Sequence, residues 1–222
     1  MKIEIDQIIR SRRKTLALVV KGDGSLIVRA PMRTPKNRIE EFVTEHYPWI
    51  EKKRAEMQSL GIPPSKQYVS GEEFMFLGQP FSLEIIKNQK EPLILNGNFK
   101  LSESVSKHAK IIFEGWYREQ ARKIISQRLN TYANGYGFQV RGIKITSAKT
   151  RWGSCSANAS LNFSWRLILA PLEQVDYVII HELVHTVHHN HSERFWKRVE
   201  DLMPDYRERQ KWLRKHGPRL MI

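Results

Sequence analysis

The chain has 222 residues, 41% of them hydrophobic, which is long enough for one large domain or two small ones with a sizeable core. A membrane span and a secretory signal are both disfavoured, because no apolar run approaches roughly 18 residues and the first residues lack an apolar segment. The net charge of +14 permits binding to nucleic acid, ribosomes or acidic protein segments, and the single cysteine excludes an internal disulfide and suits a reducing cytoplasm.

Residues 1–103 form an N-terminal part whose patterns are mostly those of β-strands. Apolar alternation predicts strands at 2–9, 14–21, 25–30, 74–77, 81–86 and 93–95. The Gly-Asp-Gly segment at 22–24 predicts a hairpin, and the strands after residue 68 predict a small antiparallel sheet. Thr34 and Pro35 predict the start of a helix that Pro48 should break or kink, because proline lacks an amide donor.

The C-terminal part, residues 104–222, opens with a long amphipathic helix, predicted from Ser104 or Ser106 to about Tyr132 and ended by Asn134-Gly135. Its apolar stripe should face the core and contains Ile112, Trp116, Ile124, Ile125 and Leu129. The opposite face is basic and contains Lys107, Lys110, Arg118, Arg122, Lys123 and Arg128. That face is either solvated or a binding surface.

The patterns that follow predict a strand, a compact loop and a second strand, at 139–147, 149–156 and 160–169. Pro171 then begins a helix with apolar residues around most of its circumference, which should therefore be buried. Two shorter helices are predicted after it, one ending at Met203-Pro204 and a basic one at 207–215.

The buried helix carries a metalloprotease pattern, H-E-x-x-H, at residues 181–185. His181 and His185 lie about 40° apart in azimuth and about 6 Å apart along a helix axis. Both imidazoles can therefore reach one ion at the roughly 2.0–2.1 Å of a zinc–nitrogen bond. Glu182 is badly placed as a ligand but can contact a water on that ion, which is the position of a general base.

A third histidine, His191, lies ten residues after His181, which is the ligand spacing of the metzincin pattern. It can join the site only if the helix breaks, and Asn190 is predicted to turn the chain in a left-handed conformation. Ser192 then reads as the N-cap of the next helix. The spacing thus predicts a catalytic zinc site, whereas a surface helix with a histidine-rich end would leave Glu182 and the break unexplained.

With these residues in view, the sequence resembles the YgjP-like metallopeptidases, relatives of the SprT-like proteases in the wider zincin group. The resemblance is carried by Arg151–Ser156, Asp176–His185, Asn190–Ser192 with Phe195-Trp196, and by Pro48–Ile50 and Gly71–Gly78 in the N-terminal half. It implies an α+β, zincin-like metallopeptidase domain with a β-rich N-terminal subdomain, the two parts forming one continuous family domain. It also implies zinc ligands at His181, His185 and His191, with Glu182 as the catalytic base, but no natural substrate.

The expected activity is zinc-dependent hydrolysis of peptide bonds in a protein or peptide substrate. Three residues are candidates to stabilise the oxyanion: Tyr206, His188 and Arg151. The strand at 160–165 is expected to pair with an extended substrate. Cys155 is either an inert thiol or an inhibitory thiolate, and Trp152 is either core or a substrate contact.

Nucleic acid leads to two alternative readings of the chain. In one, the protein is a basic nucleic-acid-binding protein whose zinc helix is structural or degenerate, although the intact Glu182 disfavours this. In the other, a peptidase is recruited to protein on nucleic acid by its basic face.

Overall fold

The computed structural model describes residues 4–20, 24–59, 66–220 and 222. The chain divides into two compact units, Met1–Pro64 and Ser65–Ile222. This boundary lies earlier than the sequence-based division at 103/104. The small sheet of the 73–102 region belongs to the second unit, because its Phe74 and Phe99 share one core with Phe113 of the following helix.

The first unit contains a three-stranded sheet and two helices. The strands are β1 (Gln7–Ser11), β2 (Ala17–Val20) and β3 (Leu26–Pro31), in the order β1-β3-β2. β3 pairs in parallel with β1 and antiparallel with β2. Residues 22–23 of the predicted hairpin turn lie outside the described residues, as do residue 21 of the strand before it and residues 2–3 of the first predicted strand.

The helices of this unit are α1 (Lys36–Glu45) and α2 (Tyr47–Ser59). The predicted break is confirmed, because α1 stops before His46 and Pro48 lies in the first turn of α2. There its missing amide costs no hydrogen bond. Each helix contributes a buried residue, Ile39 from α1 and Ile50 from α2, to a core that also contains Val28 of the sheet.

The second unit begins with a four-stranded sheet: β4 (Glu73–Phe76), β5 (Gln79–Ile86), β6 (Leu93–Asn96) and β7 (Asn98–Ser102). Its order is β4-β5-β7-β6, so the hairpin of β6 and β7 inserts β7 beside β5. That pair is parallel, and the prediction of a purely antiparallel sheet is wrong.

The long helix, α3 (Ala109–Tyr136), follows a short 3-10 segment at Glu103–His108. It runs through Asn134-Gly135, where its end was predicted, and Gly137 ends it with a φ of 74°. Its buried stripe contains Phe113, Tyr117, Ala121, Ile125, Leu129 and Ala133. Ile125 and Leu129 of the predicted stripe are buried as expected, whereas Ile112, Trp116 and Ile124 are only partly buried.

The remaining strands are β8 (Gly142–Thr146), β9 (Gly153–Cys155) and β10 (Ser160–Ser164), in the order β8-β10-β9. The predicted compact loop therefore contains a strand. The predicted strand at 160–169 ends at Ser164 and continues as a 3-10 segment, Trp165–Leu169. The helices α4 (Leu172–Val184), α5 (Glu193–Leu202) and α6 (Tyr206–His216) and a 3-10 turn, Gly217–Arg219, complete the chain.

The α+β class predicted from the sequence is confirmed by this mixture of sheets and helices. The core of the second unit lies between the two sheets, α3 and α4. No helix in the described part of the chain combines the length and apolar character needed to cross a bilayer.

Candidate active site

The candidate site is built on α4, which is buried along most of its length. Arg128 of α3 holds this helix through a two-pronged ion pair with Asp176, in which Nε donates to Oδ1 at 2.7 Å. The segment before α4 is fixed as well, because the amide of Leu77 donates to the carbonyl of Ile168 at 2.8 Å. Arg128 was predicted to lie on the exposed basic face of the long helix. That prediction is wrong, because the guanidinium of Arg128 pairs with Asp176.

Three histidine side chains meet at the C-terminal end of α4. The Nε2 atom of His191 lies 3.1 Å from Nε2 of His181 and 3.2 Å from Nε2 of His185. Nitrogen atoms bound tetrahedrally at roughly 2.0–2.1 Å from zinc are about 3.3–3.4 Å apart. In the described part of the chain, these three residues are the group that could hold a metal ion.

The chain reaches this arrangement because α4 ends early, at Val184. The amides of Val187 and His188 then donate to the carbonyl of Val184, at 3.1 and 2.9 Å, and close a tight turn. The prediction that Asn190 turns the chain in a left-handed conformation is wrong, because Asn190 is not among the residues with positive φ and the helix has already ended. Ser192 is the N-cap residue of α5, as predicted.

The histidine rings are held in the form that binds metals. Nδ1 of His185 lies 3.0 Å from the carbonyl oxygen of His188, and since a carbonyl only accepts, Nδ1 carries the proton and Nε2 keeps its lone pair. Burial lowers the pKa of His181 to about 3, with smaller effects from His185 and His191. Burial also lowers the pKa of His185. These neutral imidazoles fit a divalent metal ion.

Aromatic side chains pack against the three histidines. The ring of Phe195 lies 4.9 Å from that of His181, 4.4 Å from that of His185 and 4.8 Å from that of His191. Trp196 stacks on His191 at 5.5 Å. Nδ1 of His181 is buried without a hydrogen-bond partner among the described residues, so packing orients this ring. In the sequence, Phe195 was singled out as part of the family resemblance, and its contact with the three histidines was not predicted.

Glu182 is buried beside the histidines, with 5% of its surface exposed. Burial raises the pKa of Glu182 to about 7, and the charge of Arg151 opposes this rise. Its Oε2 atom has no hydrogen-bond partner in the described structure. Gly153 of β9 lies directly against it, since a Cβ atom at position 153 would be 2.6 Å from Cγ and Oε1 of Glu182. Only glycine leaves room for this carboxylate, a role that the sequence did not reveal.

A pocket of about 310 Å³ opens next to Glu182 and His181. Its other walls come from three elements: Trp152 and Gly153 at β9, Tyr177 and Val178 of α4, and Gln210, Leu213 and Arg214 of α6. Trp152 is half-buried and packs closely on the 3-10 turn, because a Cβ atom at Gly217 would be 2.8 Å from its ring. Trp152 thus belongs to the packing and also lines the pocket.

The three candidates for oxyanion stabilisation lie in different surroundings. Arg151 is exposed, and its charge reaches Glu182. Tyr206 is buried and its hydroxyl accepts a hydrogen bond from Nε of Arg207 at 3.1 Å. His188 contributes its carbonyl to the ring of His185. Each of them stays a candidate.

Cys155 lies in β9 and is half-buried. Its Sγ donates to the carbonyl of Ser156 at 3.4 Å. Burial raises the pKa of the thiol, and the nearby Glu182 raises it further. A protonated thiol outside the metal-binding group of the described residues favours the inert role over an inhibitory thiolate.

The strand at the edge of the site is β9. β10 has β8 on one side and β9 on the other, so the expectation that residues 160–165 pair with substrate is wrong. Among the strands that the structure describes, Gly153–Cys155 has, in contrast, a partner on one side only. A free edge beside Glu182 is the place where an extended peptide could add a strand.

A family model described as the YgjP-like metallopeptidase domain matches residues 14–216. The chain belongs to the YgjP-like metallopeptidase family. The resemblance to this family seen in the sequence is thereby confirmed, and with it a metallopeptidase domain and a hydrolase of the metalloprotease type.

Among solved structures, this YgjP-like chain is similar to the metallopeptidase zymogen of Pyrococcus abyssi abylysin. The identity is 22% and the TM-score 0.38, and the match covers 42% of this chain and 95% of that chain. This likeness is too distant to bear on the site. No curated protein matches the chain.

Proposed function

We propose that this YgjP-like metallopeptidase is a zinc-dependent enzyme that hydrolyses peptide bonds, with His181, His185 and His191 as ligands and Glu182 as general base. The observation that supports this most strongly is the convergence of three imidazole side chains beside a buried carboxylate that lines a pocket. Three protein ligands are typical of a catalytic zinc, because they leave one coordination position open. A structural zinc would have no need of Glu182.

Zinc at this site would polarise the scissile carbonyl and lower the pKa of a water molecule to about 7. The protein supplies the proton transfer. Oε2 of Glu182 has no competing partner among the described residues, so it is free to accept a proton from the attacking water and to pass it to the leaving amine. Gly153 holds the carboxylate in place by filling the space behind it with backbone.

The substrate is a protein or peptide, as befits a peptidase family. We infer that its extended backbone pairs with Gly153–Cys155, since this edge of β9 lies beside Glu182. A side chain of the substrate then enters the 310 Å³ pocket between Trp152 and Leu213. We also infer a cytoplasmic location, which the single cysteine suggests.

A zinc competition titration tests the ligand set. Wild type should bind one zinc per chain, and His181→Ala, His185→Ala and His191→Ala should each lose most of the affinity. His189→Ala is the matched control, because His189 is an exposed neighbour outside the converging group. If His191→Ala bound zinc as tightly as wild type, the third ligand would be misassigned.

Nucleic acid is the alternative partner, suggested by the net charge of +14. The contacts of α3 weaken this idea. Arg128 is paired with Asp176, Lys123 lies 2.7 Å from the carboxylate of Glu119, and Arg118 donates to Ser147 at 2.7 Å. Fewer free cations therefore remain on the basic face than the sequence indicated.

A further inference from the structure

The sheet of β8, β10 and β9 has a second pocket, on the far side of Trp152 and Gly153 from the catalytic one. Its volume is about 180 Å³, and Trp152 and Gly153 line both pockets. The two pockets thus have two lining residues in common. A substrate that passes along β9 beside Glu182 can reach both.

Side chains of one sheet face form the floor of this second pocket. Lys144, Asn162 and Ser154 are register partners and form one row across the three strands. The opposite face is apolar, because Ile145 and Phe163 are buried in the core. The strand period of two therefore places only polar side chains on the pocket side.

The charged groups that line this pocket are both cations. Lys144 and Arg151 are both exposed lining residues, and the described structure gives neither of them an ion pair. Asn162 donates its amide to Oγ of Ser154 at 3.3 Å, which leaves the hydroxyl proton of Ser154 free for another acceptor. Among the described residues, none that lines this pocket is an aspartate or a glutamate.

We propose that this second pocket is a subsite for a carboxylate group of the peptide substrate, bound by Lys144, Arg151 and Ser154. This inference rests on the proposed peptidase function and names a substrate class for it, namely peptides with an acidic group near the scissile bond. An ammonium, a guanidinium and a hydroxyl around one recess provide the charge-assisted hydrogen bonds that a carboxylate requires. A nucleic-acid backbone fits less well, because phosphodiesters are bound by rows of cations along a surface and here only two cations flank one small pocket.

The test compares labelled peptides of one common sequence in which a single position is Glu or Gln, moved along both sides of the scissile bond. A second pair carries a free or an amidated C-terminus. At one position, or at the free terminus, the acidic peptide should be cleaved by zinc-loaded wild type with about tenfold higher kcat/KM. The position of this effect tells a side-chain carboxylate from a terminal one.

Lys144→Gln should bring this ratio down to about one. Lys149→Gln removes the same charge from an exposed neighbour that does not line the pocket, so it should keep the full ratio. The same peptides are also bound to the Glu182→Gln protein and followed by fluorescence anisotropy, with the same tenfold difference expected in Kd. This binding arm keeps the subsite testable even if no peptide is cleaved, a result that would refute the proposed function alone.

Three outcomes would overturn the subsite. The first is equal binding and cleavage of all Glu and Gln peptides and of both termini. The second is a preference that survives in Lys144→Gln or is lost equally in Lys149→Gln. The third is displacement of the Glu peptide by inorganic phosphate at lower concentration than by acetate, which would assign the pocket to phosphate.

Discussion

Gly153→Ala is the most informative single change, because it adds one methyl group against the proposed catalytic base. The new Cβ would lie 2.6 Å from Cγ and Oε1 of Glu182 and 2.8 Å from Cδ. To restore an ordinary contact near 3.4 Å, β9 or the carboxylate must move by about 0.8 Å. A displacement of that size at a catalytic group costs on the order of a hundredfold in rate, and the overpacking costs about 1–3 kcal/mol of stability.

The assay is kcat for a fluorogenic peptide, measured beside zinc content and thermal unfolding. Gly153→Ala should lose about a hundredfold in kcat and still bind one zinc, since the atoms nearest to the added Cβ belong to Glu182 and not to a histidine. Gly142→Ala is the control in the same sheet, because a Cβ atom there meets nothing within 4 Å. In a Glu182→Gln background the added methyl should cost almost nothing more, because the group on which it acts is already disabled. A Gly153→Ala protein with wild-type kcat would refute this reading of the wall behind Glu182.

Three further predictions follow from contacts around the site. Phe195→Leu should weaken zinc binding by about tenfold in a competition titration, because the ring packed on all three histidines is lost. Val199→Ala, a buried truncation on the same helix, should lower only the unfolding temperature. Equal zinc affinities of Phe195→Leu and wild type would count against this role of the ring. Asp176→Asn should lower the free energy of unfolding, measured in urea, by about 2–3 kcal/mol, because the guanidinium of Arg128 loses its charged partner. Glu119→Gln, which removes a surface ion pair with Lys123, should change this free energy far less. Similar losses in the two variants would mean that the Arg128–Asp176 pair does not hold α4. If the basic face of α3 binds nucleic acid through six phosphate contacts, the affinity should fall by on the order of a thousandfold between about 50 and 200 mM salt. Charge reversal at Arg118, Arg122 and Lys123 should weaken this binding. No binding at low salt would mean that the face is only solvated.

The parts of the fold that the sequence predicted well are those set by local chemistry. Pro48 separates two helices because proline cannot donate, and Ser192 takes the N-cap position of α5, although its side chain makes no capping hydrogen bond. Residues 181–185 carry a recognisable spacing, and the family match extends it to almost the whole chain. The assignment of the three histidines as zinc ligands and of Glu182 as the base remains a prediction.

The errors arose where a distant partner decides the outcome. Arg128 reads as a surface cation until Asp176, 48 residues away, is placed beside it. Asn134-Gly135 reads as a helix end, but the amide of Phe138 bonds the carbonyl of Ala133 and Gly137 takes the left-handed position instead. Turn propensity identifies possible ends of a helix, and packing selects among them.

The closest contacts of the site were also out of reach of the sequence. The position of Gly153 against Glu182 depends on β9 being an edge strand beside α4, and strand order is not a local property. Phe195 packs on three histidines only because the turn after Val184 brings α5 back. Both facts are tertiary, so no residue pattern within one element could predict them.

The central claim is that Glu182 acts as the base at a zinc held by three histidines. Its most direct test is the rate of peptide cleavage by the Glu182→Gln protein, loaded with one zinc per chain and compared with wild type in the same preparation. Glutamine keeps the shape of glutamate but cannot accept the proton, so cleavage should fall by orders of magnitude while zinc content and unfolding temperature stay near wild type. Wild-type cleavage by a fully zinc-loaded Glu182→Gln protein would contradict the account.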